Sequence, residues 1–464
     1  MKEFDLVVVG GGPGGYVAAI RGAQLGARVA VVERDKVGGT CLNRGCIPTK
    51  ALYYSAKALK AARHAGEFGV STGEVGFNIA KAVERKDSVV EKLVGGVEQL
   101  LKGNKVELIR GDAAIEAAGR VIVKTAEGAE ELGAKSTIIA TGSEPALIPA
   151  FNIDGVNVLT STEALNLKEI PKSMLIIGGG VMGCEFATIY AAFGTRVTIV
   201  ELLPTILSTE DKAVVRVIAK GFKAAGIEVL TDVMVDGVEV GDGVVKTTLK
   251  DGREITTEKV LVSIGRSFNS TGFGLEELGV KTDKGRIVVN DSMETNVDGL
   301  YAIGDVTGRM LLAHVASVHG GVAAANALGG SETMDYSAVP AGIFTDPEIA
   351  SVGLREKEAK EQELDVEIGR FPYVASGKAL GMGETDGFCQ IVADKGTDRI
   401  LGCTIVGAHA TDLLGEVTLA VKAKMKVKDI IETIHAHPTL PEIVLEAAED
   451  AHGKAVHKMG RKRK

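Results

Sequence analysis

An internal duplication limits the possible folds of this chain more than any other feature. An apolar run, Leu6 to Val9, leads into Gly10-Gly11-Gly12-Pro13-Gly14-Gly15, a helical stretch from Tyr16 to Gly26, and a second apolar run, Arg28 to Val32, that ends at Glu33. Met174 to Ile177, Gly178-Gly179-Gly180-Val181-Met182-Gly183, a helical stretch to about Phe193, and Arg196 to Val200 ending at Glu201 repeat that order. The acid comes after the first glycine at the same interval in both copies. In such a unit the first glycine (Gly10, Gly178) permits a tight turn and the second (Gly12, Gly180) lets a pyrophosphate approach the backbone. The third (Gly15, Gly183) packs helix against strand. The helix N-terminus offers unpaired N–H groups and a positive dipole end to phosphate. Glu33 and Glu201 are then placed to accept hydrogen bonds from ribose hydroxyls, which a 2′-phosphate would prevent. A single glycine loop is weak evidence. Strand, loop, helix, strand and acid twice over predict an α/β chain with two dinucleotide sites.

Directly after the first copy comes Cys41-Leu42-Asn43-Arg44-Gly45-Cys46-Ile47-Pro48-Thr49-Lys50. Two cysteines five positions apart, about a turn and a half of helix, come within disulfide range if the backbone cooperates. The alternative is a pair of buried structural cysteines. A close pair beside a cofactor site reads instead as redox-active. Two nucleotides and a dithiol suggest an electron path, with FAD expected at the first loop because the cysteines come straight after it. The nicotinamide then falls to the second. Glu201 is followed by Leu202-Leu203-Pro204-Thr205-Ile206-Leu207, with no arginine before Arg216 to receive a 2′-phosphate, so NAD is expected rather than NADP.

At 464 residues the chain has room for two to four domains with real cores. Its net charge of −8 argues against a nucleic-acid binder. No apolar run reaches the ~18 residues needed to cross a bilayer, and Met1 to Val9 moves straight into a strand rather than a signal peptide. A cytoplasmic, membrane-free protein is expected. Cys184, Cys389 and Cys403 lie in apolar contexts and read as inert packing residues. Ile79 to Leu101, apolar at Ile79, Val83, Val90, Leu93, Val97 and Leu100, reads as a packing helix.

Further motifs come in order: Ala140-Thr141-Gly142-Ser143, Gly265-Arg266, Gly304-Asp305, Phe344-Thr345-Asp346-Pro347-Glu348, and His435-Ala436-His437-Pro438-Thr439-Leu440-Pro441-Glu442. With the glycine loops and the cysteine box, they resemble the FAD-dependent pyridine nucleotide–disulfide oxidoreductases over nearly the whole chain. That resemblance implies a Rossmann-like FAD domain (1–145), a Rossmann-like NAD domain (146–270), a segment completing the FAD side (271–340), and an α+β dimerisation domain (341–464) that builds a homodimer. It implies that Gly39, Thr40, Thr141, Gly142 and Ala313 join the first loop in binding FAD, with Glu33 on the adenosine ribose and Asp305 on the ribitol. Gly265 joins the NAD site, and Lys50 and Glu185 form a charge pair near flavin N5.

A lone histidine is usually an ordinary surface or core residue. Here Pro438 and Pro441 stiffen the loop, and Glu442 is near enough to fix the tautomer of His437. Thiol exchange needs a base, because only a thiolate attacks a disulfide. The resemblance makes His437 that base, acting on the cysteines of the other subunit, with Cys41 as the interchange thiol, Cys46 facing the flavin and His435 structural. Pro441 and Val315 depart from the family pattern, and His314 receives no proton-transfer role. The implied reaction is oxidation of a dihydrolipoyl dithiol by NAD+. The dithiol is carried on a lipoyl-bearing protein of a 2-oxoacid dehydrogenase or glycine cleavage complex. Glutathione-reducing relatives carry arginines after the position of Glu201, mercury-reducing ones have a cysteine pair beyond Cys403, and flavin transhydrogenases lack the redox cysteines. A different class of reading makes the chain a docking subunit through its basic tail, Lys458 to Lys464. Cys41, Cys46 and His437 together argue that catalysis is retained.

Overall fold

The computed structural model describes residues 1–459, so Gly460 to Lys464, most of the basic tail, lie outside the described residues. The chain divides into two compact units, Met1–Ile170 with Leu261–Met334, and Pro171–Val260 with Asp335 onward.

The first unit is built on a parallel sheet. Strand Lys2–Val9 runs beside Val29–Glu33 and Gly128–Ile139, with Glu107–Arg110 beyond the former and Leu300–Ala302 along the end of the latter. Strands Arg120–Thr125 and Asp112–Ala117 continue the sheet in antiparallel sense from the first half of Gly128–Ile139. Val7, Val8, Val29, Val31 and Val32 are all buried, as the continuous valine runs require of strands covered on both faces. Burial of each such side chain contributes about 1.5–3 kcal/mol.

The helix after the first glycine loop spans Pro13–Gln24, earlier than the expected Tyr16 to Gly26. Pro13 has its φ pre-set for a first helical turn, and the chain leaves the helix before Gly26. This helix crosses helix Ala313–Ala327 at close range, where a Cβ on Gly320 would lie 2.4 Å from the Gly14 carbonyl oxygen. Helix Ile79–Gly103 packs on the same core, with one difference from the sequence reading. Leu93 and Leu100 face outward, and Lys86 takes a place in the buried stripe, its Nζ bonded to Asn166 and Asp87.

In the second unit, parallel strands Ser173–Ile177, Arg196–Val200 and Glu228–Leu230 pair in that order. An antiparallel meander, Val235–Gly241, Val244–Leu249 and Glu254–Thr257, comes next. The C-terminal part is a five-stranded antiparallel sheet ordered Ala341–Ile343, Glu348–Gly353, Ile400–Gly407, Phe388–Asp394 and Val366–Pro372. Helices Ala410–Lys422 and Glu442–Ala451 pack against this sheet. The chain is thus α/β with two Rossmann-like parallel sheets and an α+β C-terminal part. Cys184, Cys389 and Cys403 are buried, the last two with sulfurs 3.7 Å apart. No described helix is long and apolar enough to cross a membrane.

Candidate active site

The two glycine loops have the same internal geometry. Gly10 and Gly178 adopt φ of 103° and 106°, a region closed to most side chains. A Cβ on Gly15 would sit 1.8 Å from the Gly10 carbonyl oxygen, and one on Gly183 would sit 2.0 Å from that of Gly178. Each acid is held by its own loop. Glu33 accepts from the N–H groups of Gly11 and Asp35, both at 2.8 Å. Glu201 accepts from those of Gly179 at 2.6 Å and Leu203 at 2.8 Å. The middle glycines therefore act as donors, a role the fixed glycine-to-acid interval could have revealed. Helices Pro13–Gln24 and Val181–Phe193 start from Gly12 and Gly180 without a side-chain cap. Their first N–H groups fit a pyrophosphate, and the acids fit two riboses.

The cysteine box is two helices rather than one continuous turn and a half. Gly39–Arg44 ends at Gly45, and Cys46 opens the helix Cys46–Arg63. A Cβ at Gly45 would lie 2.9 Å from the Thr40 carbonyl oxygen, so the break needs glycine. The break folds the two cysteine side chains together. Neither is in a disulfide; Cys46 is exposed and Cys41 half-buried. The hydrogen bond with Cys46, and then burial, push the Cys41 thiol well up, while the charge of Lys50 works the other way. Cys46 stands in the first turn of an 18-residue helix, whose dipole favours negative charge there. Asn43 pins the short helix to the Val37 and Gly39 carbonyls, and Arg44 pairs with Asp35. Because the Asp35 N–H also donates to Glu33, the helix that carries Cys41 is linked through Arg44 and Asp35 to Glu33.

A polar cluster closes the same unit. Thr141 donates to the Asn269 carbonyl at 2.6 Å, and the Asn269 side-chain amide donates to the Thr141 carbonyl at 3.0 Å. Ser143 bridges Arg266 and Asp305. Gly304 donates its N–H to Nδ1 of the fully buried His319. Burial, helped by the charge of Arg309, pulls this imidazole down to about 4, so it is the neutral acceptor at ordinary pH. Thr40, Gly142 and Gly265 lie in this unit, the last accepting from the Ala146 N–H, and Ala313 opens helix Ala313–Ala327. Lys50 is half-buried on the cysteine helix. In the second unit, Glu185 is buried and accepts from the Phe344 N–H at 2.9 Å, a distant partner with no signal in the residues around either group.

The histidine loop lies in the second unit. His437 donates from Nδ1 to Glu442 Oε1 at 2.8 Å, and the other Glu442 oxygen takes the Thr439 N–H at 2.7 Å. Burial works to raise the Glu442 carboxyl, but these two donors outweigh it and hold it below its ordinary range. With Nδ1 committed as donor, Nε2 keeps its lone pair on a ring whose side chain is 78% exposed. His435 is different: Nδ1 faces the Thr433 carbonyl and Nε2 the Glu416 carboxylate, so it offers no free nitrogen.

The chain is similar to known proteins over nearly its whole length. Residues 4–320 match the family described as pyridine nucleotide-disulphide oxidoreductase, and residues 339–448 match the dimerisation domain of that family. A dihydrolipoyl dehydrogenase of Geobacillus stearothermophilus is 46% identical over 98% of this chain and 97% of its own length. The enzyme of that name from Bacillus subtilis (strain 168) is 45% identical over 98% and 99%. Among solved structures, LpdA from Mycobacterium tuberculosis superposes with a TM-score of 0.91 at 27% identity, covering 97% of this chain and 99% of that one. The HOCl-induced flavoprotein disulfide reductase RclA from Escherichia coli, in its Cu(II) complex, gives 0.88 at 26%, with the same coverage. The chain belongs to the pyridine nucleotide-disulphide oxidoreductase family.

Proposed function

We propose that the chain catalyses the dihydrolipoyl dehydrogenase reaction, oxidising a protein-bound dihydrolipoyl dithiol to the cyclic disulfide with NAD+. The observation that carries this is the pair of facing thiols, Cys41 and Cys46, folded together at the Gly45 break beside the first glycine loop. FAD would be held by the first loop with Glu33 and Asp305, and NAD by the second with Glu201. Bound there, FAD supplies two-electron transfer from the reduced thiol pair to NAD+ as hydride.

The chain's own residues manage protons and sulfur. His437, its Nδ1 proton fixed on Glu442, takes the thiol proton of the substrate at Nε2. The resulting thiolate attacks the Cys41 sulfur of the oxidised pair, and Cys46 leaves as a thiolate favoured by its helix N-terminus. The second substrate sulfur displaces Cys41, which closes the lipoyl ring and leaves the Cys41–Cys46 pair reduced. Lys50 and Glu185 are assigned to the flavin edge.

The same proposal makes the chain a cytoplasmic homodimer in which His437 serves the cysteines of the partner subunit. Support comes from the dimerisation match and from Ile434 and Leu419, 97% and 66% exposed on the part it covers. The lipoyl carrier would be a protein of a 2-oxoacid dehydrogenase or glycine cleavage complex. Domain limits at 145, 270 and 340 belong to this reading too. His437→Gln should lower turnover by about 10²–10⁴-fold with FAD still bound. Near-normal turnover in that variant would remove His437 from the mechanism.

A further inference from the structure

We propose that Ser143 is a positioning residue for the flavin: its hydroxyl relays the charge of Arg266 to Asp305 and leaves one carboxylate oxygen free for the cofactor. This rests on the assignment of FAD to the first unit. Ser143 is buried in a short strand paired with Arg266–Phe268. Arg266 donates from Nε to Ser143 Oγ at 2.6 Å and from its terminal nitrogen to the Ser143 carbonyl at 2.6 Å.

A guanidinium cannot accept a hydrogen bond, and a hydroxyl has one proton to give. That proton therefore goes to Asp305 Oδ2, 2.6 Å away. The guanidinium nitrogen stays 3.7 Å from the same oxygen, so the serine stands between the two charges. With Oδ2 engaged in this way, Oδ1 makes no hydrogen bond among the described residues and is the oxygen left for a ligand hydroxyl. The backbone of the same turn is held from its other side, where Gly304 donates to His319 at 3.2 Å. Removing the Ser143 hydroxyl would free the carboxylate to turn directly onto Arg266. The charge-assisted bonds of this partly buried cluster are strong enough for that rearrangement to matter.

The test is FAD affinity, measured by titrating apoprotein and following flavin fluorescence, for wild type, Ser143→Ala, Ser143→Thr, Asp305→Asn and the Ser143→Ala/Asp305→Asn double variant. Ser143→Ala should weaken binding on the order of tenfold, and Ser143→Thr, which keeps a hydroxyl, should restore most of it. Because Ser143 acts through Asp305, the double variant should bind no more weakly than Asp305→Asn alone. Wild-type affinity in Ser143→Ala, or losses that multiply in the double variant, would overturn the relay. So would a lowered apoprotein melting temperature that Ser143→Thr does not repair, since that marks a purely structural role. A wild type that binds no FAD would instead sink the underlying reading of the first unit.

Discussion

The two glycine loops share their turn, their helix and their acid, yet the chain leaves them differently. After Glu33 it returns through Gly38, which donates to the Gly11 carbonyl at 2.7 Å, and Gly39, where a Cβ would lie 2.7 Å from Gly12 Cα. The start of the short helix Gly39–Arg44, which carries Cys41, thus lies directly on the first loop. After Glu201 the return is made by Leu207, which donates to the Gly179 carbonyl at 2.9 Å, and a Cβ on the exposed Gly180 would meet nothing within 4 Å. An enclosed loop suits a resident cofactor and an open one a nucleotide that exchanges with solvent. The difference lies in the residues beyond the acid, which include Gly-Gly-Thr-Cys in one copy and Leu-Leu-Pro in the other. Under the proposed assignment, one fold unit used twice serves two kinds of site.

Three substitutions probe that contrast. Cys41→Ser removes one of the two thiols that come directly after the enclosed copy, and should cost about three orders of magnitude or more in dithiol-driven NAD+ reduction, with FAD content unchanged. Appreciable turnover in it would mean the thiol pair is not the route. Gly15→Ala places a methyl group 1.8 Å from the Gly10 carbonyl oxygen, so the loop must shift and the purified protein should emerge without flavin absorbance. Gly183→Ala imposes nearly the same clash on the open copy. It should keep its flavin and show a KM for NAD+ raised roughly ten- to hundredfold, as a misplaced binding loop produces. Loss of flavin from Gly183→Ala as complete as from Gly15→Ala would erase the distinction between the two sites.

How much of this was legible in the sequence depended on how each feature is encoded. The duplicated unit could be read because a tight turn, a close helix and a distant acid demand particular residues at fixed intervals. The joining of His437 to Glu442 was local and needed only a short loop. The break at Gly45 was not visible, since an isolated glycine is tolerated within a helix and only the nearness of the Thr40 carbonyl excludes a side chain here. Leu93 and Leu100 read as core because they are apolar at helical spacing. The buried line instead runs through Lys86, Val90, Val97 and Leu101, and Lys86 tolerates it because Asn166 and Asp87 receive its ammonium. The Ser143 bridge joins three separate motifs and became visible only when the fold brought them together.

The reaction itself is the decisive assay. Purified protein mixed anaerobically with dihydrolipoamide should reduce NAD+, followed by nicotinamide absorbance, and should reduce NADP+ far more slowly because Glu201 has no arginine beside it to receive a 2′-phosphate. NAD+ left oxidised by dihydrolipoamide, in a preparation whose flavin is still bleached by NADH, would contradict the assignment of the dithiol substrate.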